Sequence, residues 1–153
     1  MNIEFEPPQK PLHVGFQALS PQSIIPFTAT PESNGYDLFT IEEVTIEPEH
    51  WKVVKLGFAV EVPVNHAMLV LPKSGLSSKH GISVLNSPGL VDSDYRGEIS
   101  AIVINHNDAP YTFKAREKIA QVIFVETKKV EFWPVDKLSE TERGEGGFGS
   151  TGR

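Results

Sequence analysis

The sequence contains no cysteine in its 153 residues. This absence excludes disulfide-bonded scaffolds, thiolate metal sites and cysteine nucleophiles. Positive charge is also scarce, because 14 Lys and Arg stand against 20 Asp and Glu, which gives a formal net charge of −6. A broad basic surface for a nucleic-acid polymer or an anionic membrane is therefore excluded, and any polyanion must be bound locally.

Long hydrophobic runs are missing as well. No apolar stretch approaches the ~18 residues of a membrane-spanning helix. Residues 1–6 are acidic and lack the basic-then-apolar order of a signal peptide. We therefore expect a cytoplasmic protein, in the host cytoplasm if the chain is viral. With 39% hydrophobic and 22% charged residues, the composition and length are typical of one folded domain.

Short strands dominate the sequence pattern. Apolar residues occupy alternate positions over 54–62 and 111–115, which indicates strands with one buried face. Denser apolar runs at 67–71, 99–104 and 119–125 are too short for typical helices and rich in β-branched residues. These runs are therefore predicted to be strands buried on both faces.

The rest of the pattern supports a single all-β domain with a polar tail. It allows a short helix after Ser74 or over 136–142, and it contains no repeat of fixed period. Clusters among the 12 Gly and 12 Pro separate the strands, which favours a sandwich or barrel. We predict a β-barrel over 1–135, followed over 136–153 by a linker and a glycine-rich C-terminal arm of the same domain.

The glycine-rich tail matches a dinucleotide-binding pattern only by spacing. Residues 144–149 fit G-x-G-x-x-G, but just four residues follow, too few for the helix that must meet the pyrophosphate. The tail does offer glycine amides, the Arg143 guanidinium, hydroxyls on Ser150 and Thr151, and the aromatic ring of Phe148. It is either a phosphate clasp with a stacking lid or a flexible terminus.

A second cluster of charge lies at 92–98 and partly resembles a calcium-binding loop. Arg96 occupies the third ligand position, and Val103 stands where a bidentate Glu would close the loop, so calcium binding is not expected. One of the carboxylates of Asp92 and Asp94 is a candidate general base. The alternative is that both residues only form a tight turn.

A third segment, 72–78, follows a buried strand and puts Lys73 beside a hydroxyl and a glycine. This turn could hold a phosphate oxygen, or it could be a helix start capped by Ser74. Gln121 lies within an apolar run and therefore needs a polar partner. Walker, HExxH and GxSxG motifs are absent, and the five histidines lack the spacing of a metal site.

In order and spacing, these segments closely resemble the five motifs of the trimeric dUTPases, the deoxyuridine triphosphate nucleotidohydrolases. The match extends from Gly35 to Gly152, most of the chain, and its third and fifth motifs are the most specific. The five corresponding segments are 35–38 (GYDL), 72–76 (PKSGL), 89–98 (GLVDSDYRGE), 119–121 (IAQ) and 143–152 (RGEGGFGSTG).

The resemblance implies a jelly-roll-like β-barrel of the β-clip type, assembled as a homotrimer with active sites at subunit interfaces and flexible C-terminal arms. It implies a Mg²⁺-dependent hydrolase of the EC 3.6.1.23 type that converts dUTP to dUMP and pyrophosphate. Such an enzyme keeps uracil out of DNA and supplies dUMP for thymidylate synthesis. The alternatives are a relative of the dCTP deaminases and a regulatory or protein-binding module that retains the dUTPase fold.

The resemblance also assigns roles to residues near the base and sugar. Asp92 would activate the water that attacks the α-phosphorus, and Tyr95 would pack under the deoxyribose, where a 2′-hydroxyl would collide with it. The hairpin from Asn86 to Tyr95 would hold uracil. Its polar edge would be bound by Asn86 and by backbone groups around Gly89, Leu90, Val91 and Ser100.

Further roles concern the triphosphate. Asp37 would hold a metal-bound water, while the ion itself is held mainly by the substrate phosphates. The phosphate-binding positions would be Lys73, Ser74, Gly75 and Gln121. In the arm, Phe148 would stack over uracil, and the residues closing on the γ-phosphate would be Arg143, Gly149, Ser150 and Thr151.

The chain departs from the family pattern in two places. Lys73 stands where family members usually carry Arg, so a point charge replaces a two-pronged donor and phosphate affinity could change. The usual Gly-Asp-Arg before Ile-Ala-Gln is here Arg116-Glu117-Lys118. Loss of the glycine puts the local turn in doubt, because Arg adopts a positive φ reluctantly.

Overall fold

Twelve β-strands and one short helix make up the secondary structure of residues 10–148, the part of the chain that the computed structural model describes. Within this range, no helix is long and apolar enough to cross a membrane. The elements in chain order are β1 (Gly15–Ala18), β2 (Phe27–Thr28), β3 (Tyr36–Phe39), β4 (Val44–Ile46), β5 (Trp51–Lys55), β6 (Phe58–Glu61), β7 (His66–Leu71), α1 (Ser74–His80), β8 (Ile82–Val84), β9 (Gly89–Val91), β10 (Ser100–Asn105), β11 (Tyr111–Phe113) and β12 (Lys118–Glu126).

The strands form four antiparallel sheets. The largest has the order β2-β3-β12-β7-β9, and a second has the order β5-β10-β8. Two further pairs, β1-β6 and β11-β4, complete the described sheets. In the largest sheet, β12 is central, and its Gln121 lies opposite Asp37 of β3 on one side and Leu71 of β7 on the other. β9 lies at the edge, paired with β7.

The core consists of apolar side chains contributed by all of these sheets. Leu38, Phe58, Met68, Val103 and Phe113 are each at most 1% exposed. Because burial of such side chains is the main stabilising term in folding, the sheets depend on one another for their stability. The predicted all-β architecture is confirmed.

The prediction of one strand over 54–62 is wrong. The segment forms two strands, β5 and β6, which belong to different sheets. The break lies at Gly57, which has a φ of +76°, and a β-carbon there would lie 2.9 Å from Ile41 Cγ2. Alternation alone could not indicate this break, because Leu56 and Phe58 on either side of it both face the core.

A helix forms at one of the two predicted places. α1 begins at Ser74, but Lys73 occupies the N-cap position, and its side chain accepts no capping hydrogen bond from the first turn, so capping by Ser74 is wrong. α1 ends where Gly81, with a φ of +64°, donates its N–H to carbonyls of the last turn. Residues 136–142 contain no helix.

The last strand ends at Glu126, and no helix or strand follows it up to residue 148. This segment carries large apolar side chains that are almost fully exposed, with Phe132 at 92% and Trp133 at 80%. The predicted boundary between a barrel over 1–135 and an arm over 136–153 stays a prediction.

The turn before β12 forms despite the loss of the glycine. Arg116 adopts a φ of +68° and donates its backbone N–H to the Thr40 carbonyl at 2.9 Å. The Glu117 carboxylate accepts the Lys114 N–H at 2.8 Å, and the Glu117 N–H binds the Lys114 carbonyl at 3.1 Å. These bonds hold a non-glycine residue in the left-handed region, which ordinarily costs about 1–2 kcal/mol.

We predict that Arg116→Gly raises the free energy of unfolding by about 0.5–1 kcal/mol, since relief of the backbone strain exceeds the added entropy of an unfolded glycine. The measurement is urea unfolding at fixed protein concentration. Arg116→Ala is the matched control, because it removes the same side chain but keeps the strain. An Arg116→Gly protein less stable than the Ala variant would contradict this account.

Candidate functional site

A cavity of about 330 Å³ lies between the segment from Asn86 to Tyr95 and the facing strands β5 and β10. The prediction that this segment forms a hairpin is wrong, because its one strand, β9, pairs with β7, while the preceding strand β8 pairs with β10. The volume of the cavity lies within the ordinary range for small-ligand sites. The wall includes seven of the residues predicted to surround the base, the sugar and the attacking water: Asn86, Gly89, Leu90, Val91, Asp92, Tyr95 and Ser100. Phe148, which was predicted to stack over the base, does not line it. Glu98 also lines it and was not among the predicted residues.

Strand pairing positions the side of this cavity that was predicted to bind the base. Gly89 lies opposite Val70 of β7, and a β-carbon on Gly89 would lie 3.2 Å from Asn86 Nδ2 and 3.3 Å from Val70 Cβ. The glycine therefore lets the Asn86 amide approach the strand. Because β9 is an edge strand, backbone groups on its outer side are not used in the sheet and can bind a ligand.

The loop that carries Asp92 is held by hydrogen bonds within itself. The Tyr95 N–H donates to the Asp92 carbonyl at 3.2 Å, and the Tyr95 hydroxyl donates to the Glu98 carbonyl at 3.2 Å. Arg96 Nη1 donates to the Ser93 carbonyl at 2.7 Å, and Nη2 lies 3.2 Å from Glu61 Oε1. Arg96 thus stabilises the loop that carries Asp92. The sequence comparison with calcium-binding loops did not predict this role. Asp92 itself is exposed.

A second polar group, which we call the Asp37 cluster, comprises Asp37, Lys73, Lys118 and Gln121. The Asp37 side chain is 3% exposed and is paired by two ammonium groups. Lys73 Nζ contacts Oδ1, and Lys118 Nζ lies 2.7 Å from Oδ2. Gln121 Nε2 donates to the Pro72 carbonyl at 2.9 Å, which supplies the polar partner that its apolar surroundings require.

The two ammonium groups decide the charge state of Asp37. Burial by itself raises the pKa of this carboxyl, but the Lys118 and Lys73 ammonium groups outweigh it and hold the pKa below its ordinary value. Asp37 is therefore a carboxylate at neutral pH. Lys118 was noted from the sequence only as a departure from the family pattern, and no role in the site was predicted for it.

The neighbouring predicted phosphate-binding residues are open to solvent. Ser74 and Gly75 are exposed at the start of α1, and no atom lies within 4 Å of a β-carbon built on Gly75. Gly35, in the first predicted motif, packs directly on Gln121, since a β-carbon there would lie 2.5 Å from Oε1. Motifs one, two and four therefore meet at the Asp37 cluster.

The predicted site residues thus fall into separate groups within one chain. None of the four residues of the Asp37 cluster lines the cavity that holds Asp92. In the arm, Arg143 Nε donates to the Gly146 carbonyl at 2.7 Å, and the Phe148 side chain is fully exposed. Gly149, Ser150 and Thr151 lie outside the described residues.

The arrangement suits a metal ion that is carried mainly by a ligand. Among residues 10–148, no group of three or more His, Asp or Glu side chains could hold a metal ion by itself. Asp37 Oδ2 is buried, and Lys118 Nζ, 2.7 Å away, forms an ion pair with it that lacks hydrogen-bond geometry. A carboxylate oxygen of this kind fits a water molecule on Mg²⁺, which prefers oxygen ligands and retains several waters.

A larger cavity, about 730 Å³, lies elsewhere in the barrel. Its wall includes Leu12, Phe16, Tyr36, Phe58 and Phe124 and, within the described range, no charged side chain. It therefore offers neither a carboxylate nor a cation. Volume alone does not select a candidate site here, and the smaller cavity is the one that contains a carboxylate and the predicted residues.

Comparison with known proteins places this geometry in a family context. The family model described as dUTPase matches residues 21–152. The chain is similar to the deoxyuridine 5'-triphosphate nucleotidohydrolase of Nautilia profundicola, with 45% identity over 135 residues, 88% of this chain and 95% of the relative. It is also similar to that of a Picosynechococcus species, with 43% identity over 141 residues, 92% of this chain and 99% of the relative.

A solved structure supports the same relationship. The dUTPase of Staphylococcus bacteriophage 80alpha, solved with dUpNHpp, superposes with a TM-score of 0.86 at 27% identity. The match covers 92% of this chain and 99% of the phage chain. This likeness confirms the predicted jelly-roll-like fold.

Proposed function

The chain belongs to the dUTPase family, and on that basis we propose that it hydrolyses dUTP to dUMP and pyrophosphate. It is thus a dUTP diphosphatase, a hydrolase of a phosphoric anhydride. The observation that carries the proposal is the cavity of about 330 Å³, whose wall combines an amide side chain, edge-strand backbone and the exposed Asp92 carboxylate. These groups are the ones that a uracil nucleotide and an attacking water require.

Base and sugar selection follow from the shape and polarity of this cavity. Asn86 and the backbone of Leu90 and Val91 bind the polar edge of uracil, and Ser100 lies on the facing strand. Cytosine reverses the hydrogen-bond polarity of that edge and leaves these groups unpaired. Tyr95, held by its bond to the Glu98 carbonyl, packs under the deoxyribose and rejects a 2′-hydroxyl.

In the proposed reaction, Asp92 accepts a proton from the water that attacks the α-phosphorus. Its exposed carboxylate is open to such a water, and the bonds of Tyr95 and Arg96 fix the loop that carries it. The oxygen of water bonds to the α-phosphorus, and the bond from that phosphorus to the β-phosphate bridge breaks. The products are dUMP and pyrophosphate.

Cations hold the triphosphate. Lys73, with Ser74, Gly75 and Gln121, binds phosphate oxygens, and Asp37 would hold a water of a Mg²⁺ ion carried by the substrate. When bound, Mg²⁺ neutralises negative charge on the phosphate oxygens. In the arm, Arg143, Gly149, Ser150 and Thr151 close on the γ-phosphate, and Phe148 covers the uracil.

Self-association as a homotrimer completes the site. Two features support it: no residue of the Asp37 cluster lines the cavity that contains Asp92, and the segment after β12 exposes large apolar side chains. Monomeric proteins rarely leave such side chains uncovered over a contiguous surface. A neighbouring chain would cover these apolar side chains. It would also place its own Asp37 cluster beside the Asp92 cavity of the first chain. A cytoplasmic location stays a prediction.

The first test measures pyrophosphate release from dUTP, dCTP, dTTP and UTP, with Mg²⁺ and with EDTA. We expect cleavage of dUTP alone, and only with Mg²⁺, because the other substrates leave polar groups unpaired or collide with the wall. Ammonia release from dCTP would favour a deaminase, and no turnover of any substrate would favour a binding module.

The second test concerns the general base. We expect Asp92→Asn to lower kcat by on the order of 10²-fold or more, while binding of dUpNHpp stays within a few-fold, because the amide cannot accept the proton. Asp94→Asn is the matched control on the same loop, since Asp94 does not line the cavity. Near-normal turnover by the Asp92 variant would reject the assignment.

The third test asks whether sites form between chains. Light scattering should give three times the 16.9 kDa mass of one chain. Asp92→Asn and Lys73→Met chains, each inactive alone, are then co-expressed with different tags. If both residues act across an interface, about a quarter of the sites in random mixed trimers contain both intact residues and activity returns. Trimers without restored activity would show that each site lies within one chain.

A further inference from the structure

The buried Asp37 carboxylate contacts two ammonium groups, one more than is required to neutralise its charge. It is 3% exposed, while the paired side chains of Lys73 and Lys118 are 24% and 43% exposed. One carboxylate between two ammonium groups leaves a formal charge of +1 on this trio, in a protein whose net charge is −6. A single lysine would suffice to neutralise Asp37, so one of the two is available for another anion.

The contact with Lys118 depends on an irregularity in β12. Lys118 lies opposite Phe39, and Ala120 lies opposite Leu38, so two residues of β12 span one step of β3. Such a bulge turns the side chains before it to the other face of the sheet. Lys118 thereby shares a face with Asp37 and Gln121, whereas regular alternation would direct it away from them.

The two lysines differ in what lies next to them. Lys73 immediately precedes the exposed Ser74 and Gly75, and the carbonyl of Pro72 before it holds the Gln121 amide. Lys118 follows the turn at Arg116 and contacts the opposite oxygen of Asp37. Lys73 is therefore the ammonium group placed to move onto a phosphate, and Lys118 is the one placed to stay.

If Lys73 were the only ion-pair partner, its departure would leave the buried carboxylate without a side-chain countercharge and dependent on the incoming Mg²⁺ alone, which is unfavourable. We propose, on the basis of the proposed function, that Lys118 is a positioning residue that keeps Asp37 neutralised and in place while Lys73 transfers to a phosphate oxygen of the substrate. Lys118 acts through Asp37 and does not itself touch the nucleotide. Without Lys118, Lys73 would be the one remaining lysine in contact with Asp37, and its transfer to a phosphate oxygen would be unfavourable. Removal of Lys118 therefore weakens phosphate binding.

The test is a double-mutant cycle on the binding of dUpNHpp, a dUTP analogue with an imido bridge, measured by titration calorimetry with Mg²⁺. We expect Lys118→Met to weaken binding by about tenfold, the effect of losing one ion pair to a buried carboxylate. In an Asp37→Asn background, the same substitution should have almost no further effect, because there is no carboxylate left to neutralise. Lys118→Arg should bind within about threefold of the original chain, since it restores the cation.

Lys114→Met is the matched control, because Lys114 precedes the same turn, is exposed and has no ion pair among the described residues. It should leave binding unchanged. Circular dichroism and urea unfolding of every variant establish that each is folded, and Lys118→Gln replaces Lys118→Met if the latter is not. A tenfold loss that persists in the Asp37→Asn background would show that Lys118 touches the phosphates itself and would overturn the proposal. Unchanged binding by a folded Lys118→Met protein would also overturn it.

The outcome is separable from that of the proposed function. If the unmodified chain cleaves dUTP but the cycle shows no coupling between Lys118 and Asp37, only the role of Lys118 is wrong. If dUpNHpp binds with the expected coupling but dUTP is not cleaved, the cluster binds triphosphate as inferred and the assigned reaction is wrong.

Discussion

The double pairing of β12 with β3 and β7 is the constraint on which the Asp37 cluster depends. It sets Gln121 opposite Asp37 on one side and opposite Leu71, two residues before Lys73, on the other. Because side chains alternate across a strand, a slip of one residue would move Gln121 into the core and bring Val122 out of it. The apolar residues of β12 that are buried on the core side therefore also fix the polar groups of the site.

Features of this structure were predicted from the sequence when they depend on a short continuous segment, and were missed when they depend on how strands pair. Strands β7, β10 and β12 were predicted because their apolar runs are continuous, and seven residues of the cavity were predicted from the resemblance to the dUTPase motifs, six of them within the continuous segment 86–95. The break at Gly57 and the bulge before Ala120 were not predicted. Both leave the alternation of apolar residues intact, although they change which strand, or which residue of a strand, each segment pairs with. Lys118 could have been found only by pairing it with Asp37 across strands, which needs the register.

Arg116 illustrates a different limit. The residue type argued against a left-handed turn, yet the turn forms, because four partners in the chain hold it: Thr40, Lys114, the Glu117 side chain and the first residues of β12. Local preferences of about 1–2 kcal/mol are overcome when several hydrogen bonds and a buried strand depend on the same conformation. The turn is required to start β12 in the register that serves the cluster, so its strain is tolerated.

The electrostatics of the molecule also follow from this register. An acidic protein binds a triphosphate only if positive charge is concentrated at one place and repulsion elsewhere is screened by distance and salt. Burial of Asp37 between two lysines gathers two cations at one point while only one is neutralised. The carboxylate is therefore what holds the cations together. Without it, two ammonium groups at the end of β7 and the start of β12 would repel each other, and the proposed phosphate site would lose its fixed position.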